Sequence, residues 1–174
     1  ALALSFGAHA GDWQADPATS SLKFSGSAEG ESFVGAFKTF TPAIAFDPAD
    51  LASARFEVDI SLASADSGSA ERDETLRGGD FFSVARVPNA TYTASAFRDL
   101  GGGRFAADGT LSLRGVEKPV TLEFTWSQEG ATATLDGTAS VNRIDFNVGG
   151  GDWADASTIV HEIGVTTHLS LRAK

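Results

Sequence analysis

The sequence predicts an all-β protein, an eight-stranded antiparallel up-and-down barrel with one short helix between its third and fourth strands. Apolar and polar residues alternate with a period of two through most of the chain, as they do in strands that have one dry face. Most connections between these segments are short and rich in glycine, which favours antiparallel neighbours. Closing the sheet hides its edges and creates a common interior, and a two-sheet sandwich is the alternative.

Eight segments carry the alternating pattern, and each is predicted to form one strand. In residues 55–62, for example, Phe56 and Val58 face one side while Arg55 and Glu57 face the other. The segments in chain order are residues 20–28, 31–46, 52–63, 89–98, 104–113, 119–127, 131–141 and 158–172.

The connection across residues 63–88 is too long for a turn and contains the predicted helix. Ser67 or Ser69 can cap the start of this helix, and two glycines end it. Asp73 and Arg77 have the i,i+4 spacing of an ion pair, and the charged face is expected to meet solvent. A helix of this length is only marginally stable in water. We therefore expect apolar anchors to hold it at the open end of the barrel. These anchors are predicted to be Leu76, Phe81 and Phe82.

Composition excludes several classes of function. The 174 residues are 42% hydrophobic and 21% charged, a balance typical of one globular domain. A net charge of −10 repels polyanions, so we expect no nucleic-acid partner. The chain has no cysteine, which excludes disulfides, thiolate metal sites and cysteine nucleophiles.

The first ten residues have the form of the end of a secretory signal peptide. The run ALALSFGAHA is mostly apolar and closes on Ala8-His9-Ala10, a small-x-small cleavage pattern. An ordinary short first strand is the alternative interpretation. We predict that residues 1–10 are a signal remnant and that residues 11–174 form a single domain.

The sequence contains little that suggests catalysis or metal binding. His161 and His168 are seven positions apart in one predicted strand, so their side chains face opposite sides. No serine lies in a nucleophile elbow, and the glycine runs at 101–103 and 149–151 lack the spacing of phosphate-binding loops. We therefore predict a protein that is not an enzyme, with no catalytic residue, no metal site and no covalent cofactor.

An eight-stranded barrel either fills its interior with side chains or encloses one small ligand. Small residues predicted to face inward alternate with large aromatic ones, and such residues can also interlock into a dry core. The composition favours an enclosed ligand, and a filled core is the alternative. The small inward positions are predicted to include Ala90, Ala94, Ala131 and Ala133.

Six motifs occur in order along the chain: GDWQADPATSSLKFSGS, FVGAFKTFTPAIAFDPADL, ERDETLRGGDFF, VPNATYTASAF, GTLSLRGVEKPVTLEF and NRIDFNVGGGDW. Together they resemble the YceI-like family of secreted bacterial lipid-binding proteins, from about Asp12 to the C-terminus. The resemblance implies a lipocalin-like barrel exported to the periplasm, with an isoprenoid lipid or isoprenoid quinone bound in its lumen. Family members often carry His near residues 28–30, where this chain has Glu29, and the resemblance then implies a subgroup related to proteins that accompany membrane b-type cytochromes.

Together, pattern and resemblance predict a periplasmic binding and transport protein for an isoprenoid lipid. The alternative is a filled-core interaction module that partners a membrane b-type cytochrome or another envelope protein, and association into a homodimer is a further hypothesis. The predicted lumen wall consists of Phe24, Phe37, Phe56, Val58, Tyr92, Leu111, Leu122, Phe124 and Ile163. The predicted mouth or lid consists of Leu76, Phe81, Phe82, Arg143 and Trp153.

Arg143 and Asp145 form a charged pair at the end of a predicted strand. They could bridge each other, or Arg143 could contact the polar head of a ligand at the mouth of the barrel. The sequence does not decide between these two roles.

Overall fold

The computed structural model describes residues 11–174, so the predicted signal remnant at residues 1–10 lies outside the described residues. No helix in the described range has the length and apolar character that crossing a membrane requires. The elements are β1 (Asp12–Ala15), β2 (Ser21–Ala28), β3 (Glu31–Phe37), β4 (Phe40–Ala45), β5 (Arg55–Ser61), β6 (Ala65–Asp66), α1 (Ala70–Arg77), β7 (Asn89–Gly101), β8 (Arg104–Leu113), β9 (Val116–Glu129), β10 (Thr132–Asn142) and β11 (Glu162–Ala173).

The strands form a closed antiparallel barrel. Their order is β1-β4-β5-β7-β8-β9-β10-β11-β2-β3-β6, and β1 also pairs with β11. The three pairs β1 with β2, β3 with β4 and β5 with β6 are each two pieces of one interrupted strand, because each piece pairs with a piece of the neighbouring strand. Counted this way, the barrel has eight strands in up-and-down order, which confirms the predicted fold class.

Local chemistry explains why these segments become strands and turns. In β5, Phe56 and Ile60 are buried while Arg55 and Glu57 are exposed, as the alternation predicts. The β8–β9 connection is a two-residue turn in which Arg114 and its following glycine both have positive φ, the conformation that matches strand twist in tight hairpins.

Several element boundaries differ from the prediction, and three of the differences change the strand pattern. The structure adds β1, which the sequence pattern missed because it is only four residues long. The predicted strand 31–46 is interrupted after β3, and the last strand begins at Glu162 rather than at residue 158. Ala131, predicted to face inward, is exposed in the β9–β10 turn, whereas Ala90 is buried as expected.

Helix α1 begins as predicted but uses its charges differently. Ser69 caps the start, with its hydroxyl oxygen accepting from the amide of Arg72 at 3.3 Å. The predicted ion pair is wrong: Asp73 is buried and accepts from the amide and hydroxyl of Ser67 at 2.8 and 2.6 Å. Arg77 instead donates to the carbonyl oxygen of Ala63 at 3.2 Å. The segment before the helix folds back onto it, and Ser67 and Ala63 of this segment are the partners of Asp73 and Arg77.

The buried residues form two separate clusters, one toward each end of the barrel. One contains six aromatic rings, which we call the aromatic floor. Phe46 lies at its centre, with its ring centroid 4.7 Å from that of Trp126 and 5.1 Å from that of Phe105. The aromatic floor consists of Trp13, Phe46, Phe56, Phe105, Phe124 and Trp126. The second cluster, at the opposite end, surrounds an internal space.

Candidate functional site

A cavity of about 670 Å³ occupies the end of the barrel away from the aromatic floor. Its lining is mainly apolar, and it falls within the range of roughly 300–1,000 Å³ that is usual for small-molecule sites. Phe56, Leu135 and Leu169 belong both to the floor-end cluster and to the lining, so the packed end closes the bottom of the cavity. The mouth, as we use the term, consists of α1 with the Phe81-Phe82 pair that follows it, the β2–β3 turn and residues 143–159.

Most of the predicted wall residues line this cavity. The ones that do are Phe24, Phe37, Phe56, Val58, Tyr92, Leu111, Leu122 and Ile163. Phe124 does not: it is packed in the aromatic floor, with its ring 5.8 Å from that of Phe105. Its predicted inward orientation is correct, but its position along the barrel axis places it below the cavity. Contact between the wall and a ligand stays a prediction.

Sequence reasoning also missed part of the wall. The missed residues lie on the same alternating faces, so extending the pattern along each strand would have found most of them. They include Leu22, Phe33, Phe40, Ile60, Val141 and Val165.

Two strand glycines hold aromatic rings against the wall. A Cβ on Gly35 would overlap the ring of Phe24, and one on Gly109 would lie 2.6 Å from the hydroxyl oxygen of Tyr92. Each ring therefore covers a glycine of a neighbouring strand instead of extending across the lumen. The space that glycine leaves in the wall keeps the centre of the cavity open.

The Tyr92 hydroxyl is already bonded within the wall. Its oxygen lies 2.8 Å from the carbonyl oxygen of Val120 and 3.1 Å from that of Ala107, and it donates its single proton to one of these two acceptors at a time. Burial raises the pKa of Tyr92 to about 12. The hydroxyl is therefore neutral and engaged with the protein backbone.

The Phe81-Phe82 pair lines the cavity at its mouth, and its role as a lid stays a prediction. Both side chains are buried. The Phe82 ring lies 5.8 Å from that of Phe37 on β3, and the Phe81 ring lies 5.5 Å from that of Trp153 on the opposite segment. The pair thus joins α1 to two sides of the mouth.

Arg143 is buried in the mouth and takes neither of the two roles considered for it. Its side chain is 3% exposed, and its described partners are backbone carbonyls rather than Asp145. The guanidinium has five N–H donors, and the geometry gives each of them an acceptor. Nε donates to Val160 (3.0 Å), Nη1 to Val148 (2.9 Å) and Gly149 (2.6 Å), and Nη2 to Trp153 (2.7 Å) and Ile159 (2.8 Å). Burial lowers the pKa of Arg143, and the residue holds the mouth segment together.

The two described histidines do not form a site. His161 Nε2 lies 2.6 Å from the carbonyl oxygen of Ala154, whereas His168 Nδ1 lies 2.6 Å from the carboxylate of Asp136. Among residues 11–174 no group of three or more His, Cys, Asp or Glu side chains is placed to hold a metal ion.

Comparisons with solved structures identify close folds. BcnA of Burkholderia cenocepacia superposes with a TM-score of 0.87 at 34% identity, over 90% of this chain and 99% of that protein. A polyisoprenoid binding domain from Saccharophagus degradans, implicated in plant cell wall breakdown, superposes with a TM-score of 0.75 over 93% of this chain and 98% of that chain. The two chains are 18% identical, so this superposition shows a shared fold alone.

Sequence comparisons agree with the structural ones. A UPF0312 protein of Vibrio vulnificus is 35% identical over 156 residues, covering 84% of this chain and 82% of the relative. A UPF0312 protein of Vibrio campbellii is 39% identical over 126 residues, covering 71% and 67%. The model of the YceI-like domain matches residues 13–171. The chain therefore belongs to the YceI-like family.

Proposed function

We propose that this protein binds and carries an isoprenoid lipid, with the lipid tail in the barrel cavity, and that it does so without catalysis. The observation that carries this proposal is the apolar cavity of about 670 Å³, closed at one end and open at the other. Among the described residues, no buried side-chain nitrogen or oxygen lacks a hydrogen-bond partner. The buried polar groups of the wall therefore need no hydrogen bond from a ligand, which suits a hydrocarbon tail.

Burial of the tail supplies the affinity. Each methylene removed from water contributes about 0.8 kcal/mol, and ordering a flexible tail offsets part of this gain. The Phe24 and Tyr92 rings lie against glycines of the wall, so the space is present before the ligand arrives. A site formed in advance lowers the cost of binding.

The family relationship supports the ligand class. The structural neighbour from Saccharophagus degradans is described as a polyisoprenoid binding domain, and it has the same barrel. Periplasmic location is part of the proposal and is supported by the signal-like pattern of residues 1–10. A quinone head is a further part, suggested by the family resemblance.

The filled-core interaction module is the less favoured alternative. It requires a packed lumen, and only the aromatic-floor end of the barrel is packed. Binding to a membrane redox protein and formation of a homodimer remain separate hypotheses that the cavity neither requires nor opposes.

A matched pair of variants on β11 tests the proposal. Val165 lines the cavity, and its neighbour Thr166 is exposed on the outside of the barrel. We expect delipidated protein to bind geranylgeraniol with one-to-one stoichiometry by native mass spectrometry. Val165→Trp should weaken this binding at least tenfold because the indole occupies the lumen, whereas Thr166→Trp should leave it unchanged.

Melting curves of both variants establish that the barrel still folds. Wild-type protein that neither carries lipid after purification nor binds geranylgeraniol would remove the basis of the carrier proposal. Equal weakening by both tryptophans would place the ligand outside the lumen.

A further inference from the structure

The charged side chains at the cavity mouth show which kind of lipid head this chain accepts. Among the described residues, the charged ones that line the cavity are Glu29, Glu71, Arg72 and Arg143. Arg143 has all five donors committed to backbone carbonyls, so it has none left for a ligand. The charges that can face a lipid head are therefore two carboxylates and one guanidinium.

The remaining cation, Arg72, is also partly engaged. Its guanidinium carbon lies 5.9 Å from the centre of the Phe33 ring, in a cation–π arrangement across the mouth. One of its terminal nitrogens donates to the carbonyl oxygen of Ser67 at 3.4 Å. Binding sites for phosphate groups usually combine several Arg or Lys side chains with backbone amides. Apart from Arg143, the described lining of the cavity has one cation, Arg72, and its guanidinium is shared with the protein.

The start of α1 does not compensate for the missing cations. Helix N-termini can attract anions through their exposed amides. Here the amide of Arg72 donates to the Ser69 hydroxyl oxygen, and the amide of Asp73 donates to the Ser69 carbonyl oxygen at 2.9 Å. Glu71 and Asp73 already place negative charge in the first turn. A second anion at this position would meet two carboxylates.

Three of the five hydroxyls that line the cavity are engaged as donors inside the protein. Tyr92 donates to the wall backbone, Thr167 donates to the carbonyl oxygen of Ser21 at 2.9 Å, and Thr75 donates to that of Glu71 at 3.1 Å. The exposed carboxylates of the mouth, by contrast, are acceptors. An acceptor-rich mouth matches a head that donates a hydrogen bond.

We propose that the mouth selects an isoprenoid with an uncharged, hydroxyl-bearing head, either an alcohol or the reduced quinol form of a quinone, and discriminates against the phosphate or diphosphate of the same tail. This inference rests on the proposed function, because it concerns the head of a lipid whose tail occupies the cavity. The net charge of −10 acts in the same direction at long range. Glu29 and Glu71 supply the local part of the selectivity.

Two lipids with the same tail test the inference. Geranylgeraniol and geranylgeranyl diphosphate are each used to displace the uncharged dye N-phenyl-1-naphthylamine from delipidated protein, below the concentration at which either lipid aggregates. We expect the alcohol to bind at least roughly tenfold tighter at low ionic strength. The difference should shrink in high salt, because the Debye length falls from about 30 Å at 0.01 M to about 3 Å at 1 M.

Charge reversal assigns the selectivity to the mouth. The double variant Glu29→Lys, Glu71→Lys should raise the affinity for the diphosphate roughly tenfold and change that for the alcohol less than twofold. The matched control is Glu57→Lys, Glu129→Lys, which changes net charge equally at exposed positions outside the cavity lining. The control should leave the ratio of the two affinities close to that of the wild type.

The outcomes separate this inference from the proposed function. Diphosphate binding as tight as alcohol binding in the wild type overturns the head selectivity but leaves the carrier function intact. An equal response of the mouth variant and its control overturns the assignment to Glu29 and Glu71. Failure of both lipids to displace the dye, together with no lipid seen by native mass spectrometry, overturns the proposed function and with it this inference.

Discussion

The two ends of the barrel follow the same alternation of residues but pack in opposite ways. At the floor end, Phe46 is 1% exposed and its ring meets four other rings of the aromatic floor at centroid distances of 4.7 to 6.1 Å. At the mouth end, the strands surround a cavity of about 670 Å³. The comparison shows that inward-facing aromatics fill a barrel only where their rings meet across the axis.

Glycine placement explains part of the difference. At the mouth end, Gly35 and Gly109 let the rings of Phe24 and Tyr92 lie along the wall. At the floor end, by contrast, the aromatic rings pack against one another and form the core. We infer that the floor end provides most of the folding stability and that the mouth end provides the binding site. The predictions below test this division, from the largest expected effect to the smallest.

Truncating the centre of the aromatic floor should have the largest effect on folding. Phe46→Ala removes a fully buried ring from a packed cluster, and such changes cost about 3–5 kcal/mol of unfolding free energy. Phe33→Ala, on the cavity wall, is the matched substitution and should cost less, because its ring borders space already empty. Urea unfolding measures both. Equal losses would contradict the division between a packed end and a hollow end.

Replacing the buried guanidinium should destabilise the mouth by a smaller amount. Arg143→Lys leaves three donors for five carbonyl acceptors, and each buried group without a partner costs about 1–3 kcal/mol. We expect a loss of roughly 2 kcal/mol in urea unfolding and increased hydrogen exchange across residues 143–160. Arg98→Lys, an exposed partner of Asp108, should change stability little and serves as the control. A loss no larger than that control would show that the five contacts contribute little.

The Phe81-Phe82 pair should affect ligand retention more than folding. Replacing both by Ala opens the mouth on two sides, so we expect lipid dissociation to accelerate at least tenfold in stopped-flow dye exchange. The loss of unfolding free energy should remain below that of Phe46→Ala, since both rings border the cavity. Equal changes in retention and stability, or a loss of stability alone, would make the pair an ordinary part of the core.

The prediction for Tyr92 has the smallest expected effect on folding and the most specific measurement. It is the single tyrosine of the chain, so tyrosinate absorbance reports on this residue alone. Burial raises the pKa of Tyr92 from 10.0 to about 12 in the folded protein. The contribution of the neutral hydroxyl to the free energy of unfolding is therefore fully present below pH 10. This contribution is lost as the pH rises from about 10 to 12. A folded protein whose absorbance titrates near pH 10 would show that the hydroxyl is not held in the wall, and Tyr92→Phe supplies the baseline.

Much of the fold could be predicted from local patterns. Alternation correctly gives the buried side of β5, and the cap at Ser69 and the burial of Phe81 and Phe82 follow from residue chemistry. The roles of Asp73 and Arg143 could not be predicted in the same way. Their partners are a serine and five backbone carbonyls in neighbouring loops, which reach Asp73 and Arg143 only once those loops fold back.

The sequence by itself determined the strand faces, most of the turns, the helix start and the family. Only the tertiary structure decided the position of each side chain along the barrel axis, and with it which aromatics fill the floor and which line the cavity. Phe124 illustrates the physical reason: its inward orientation follows from a period of two, whereas its depth depends on how neighbouring strands are staggered. That stagger is set by pairings between residues far apart in the chain, such as Trp13 with Ala173.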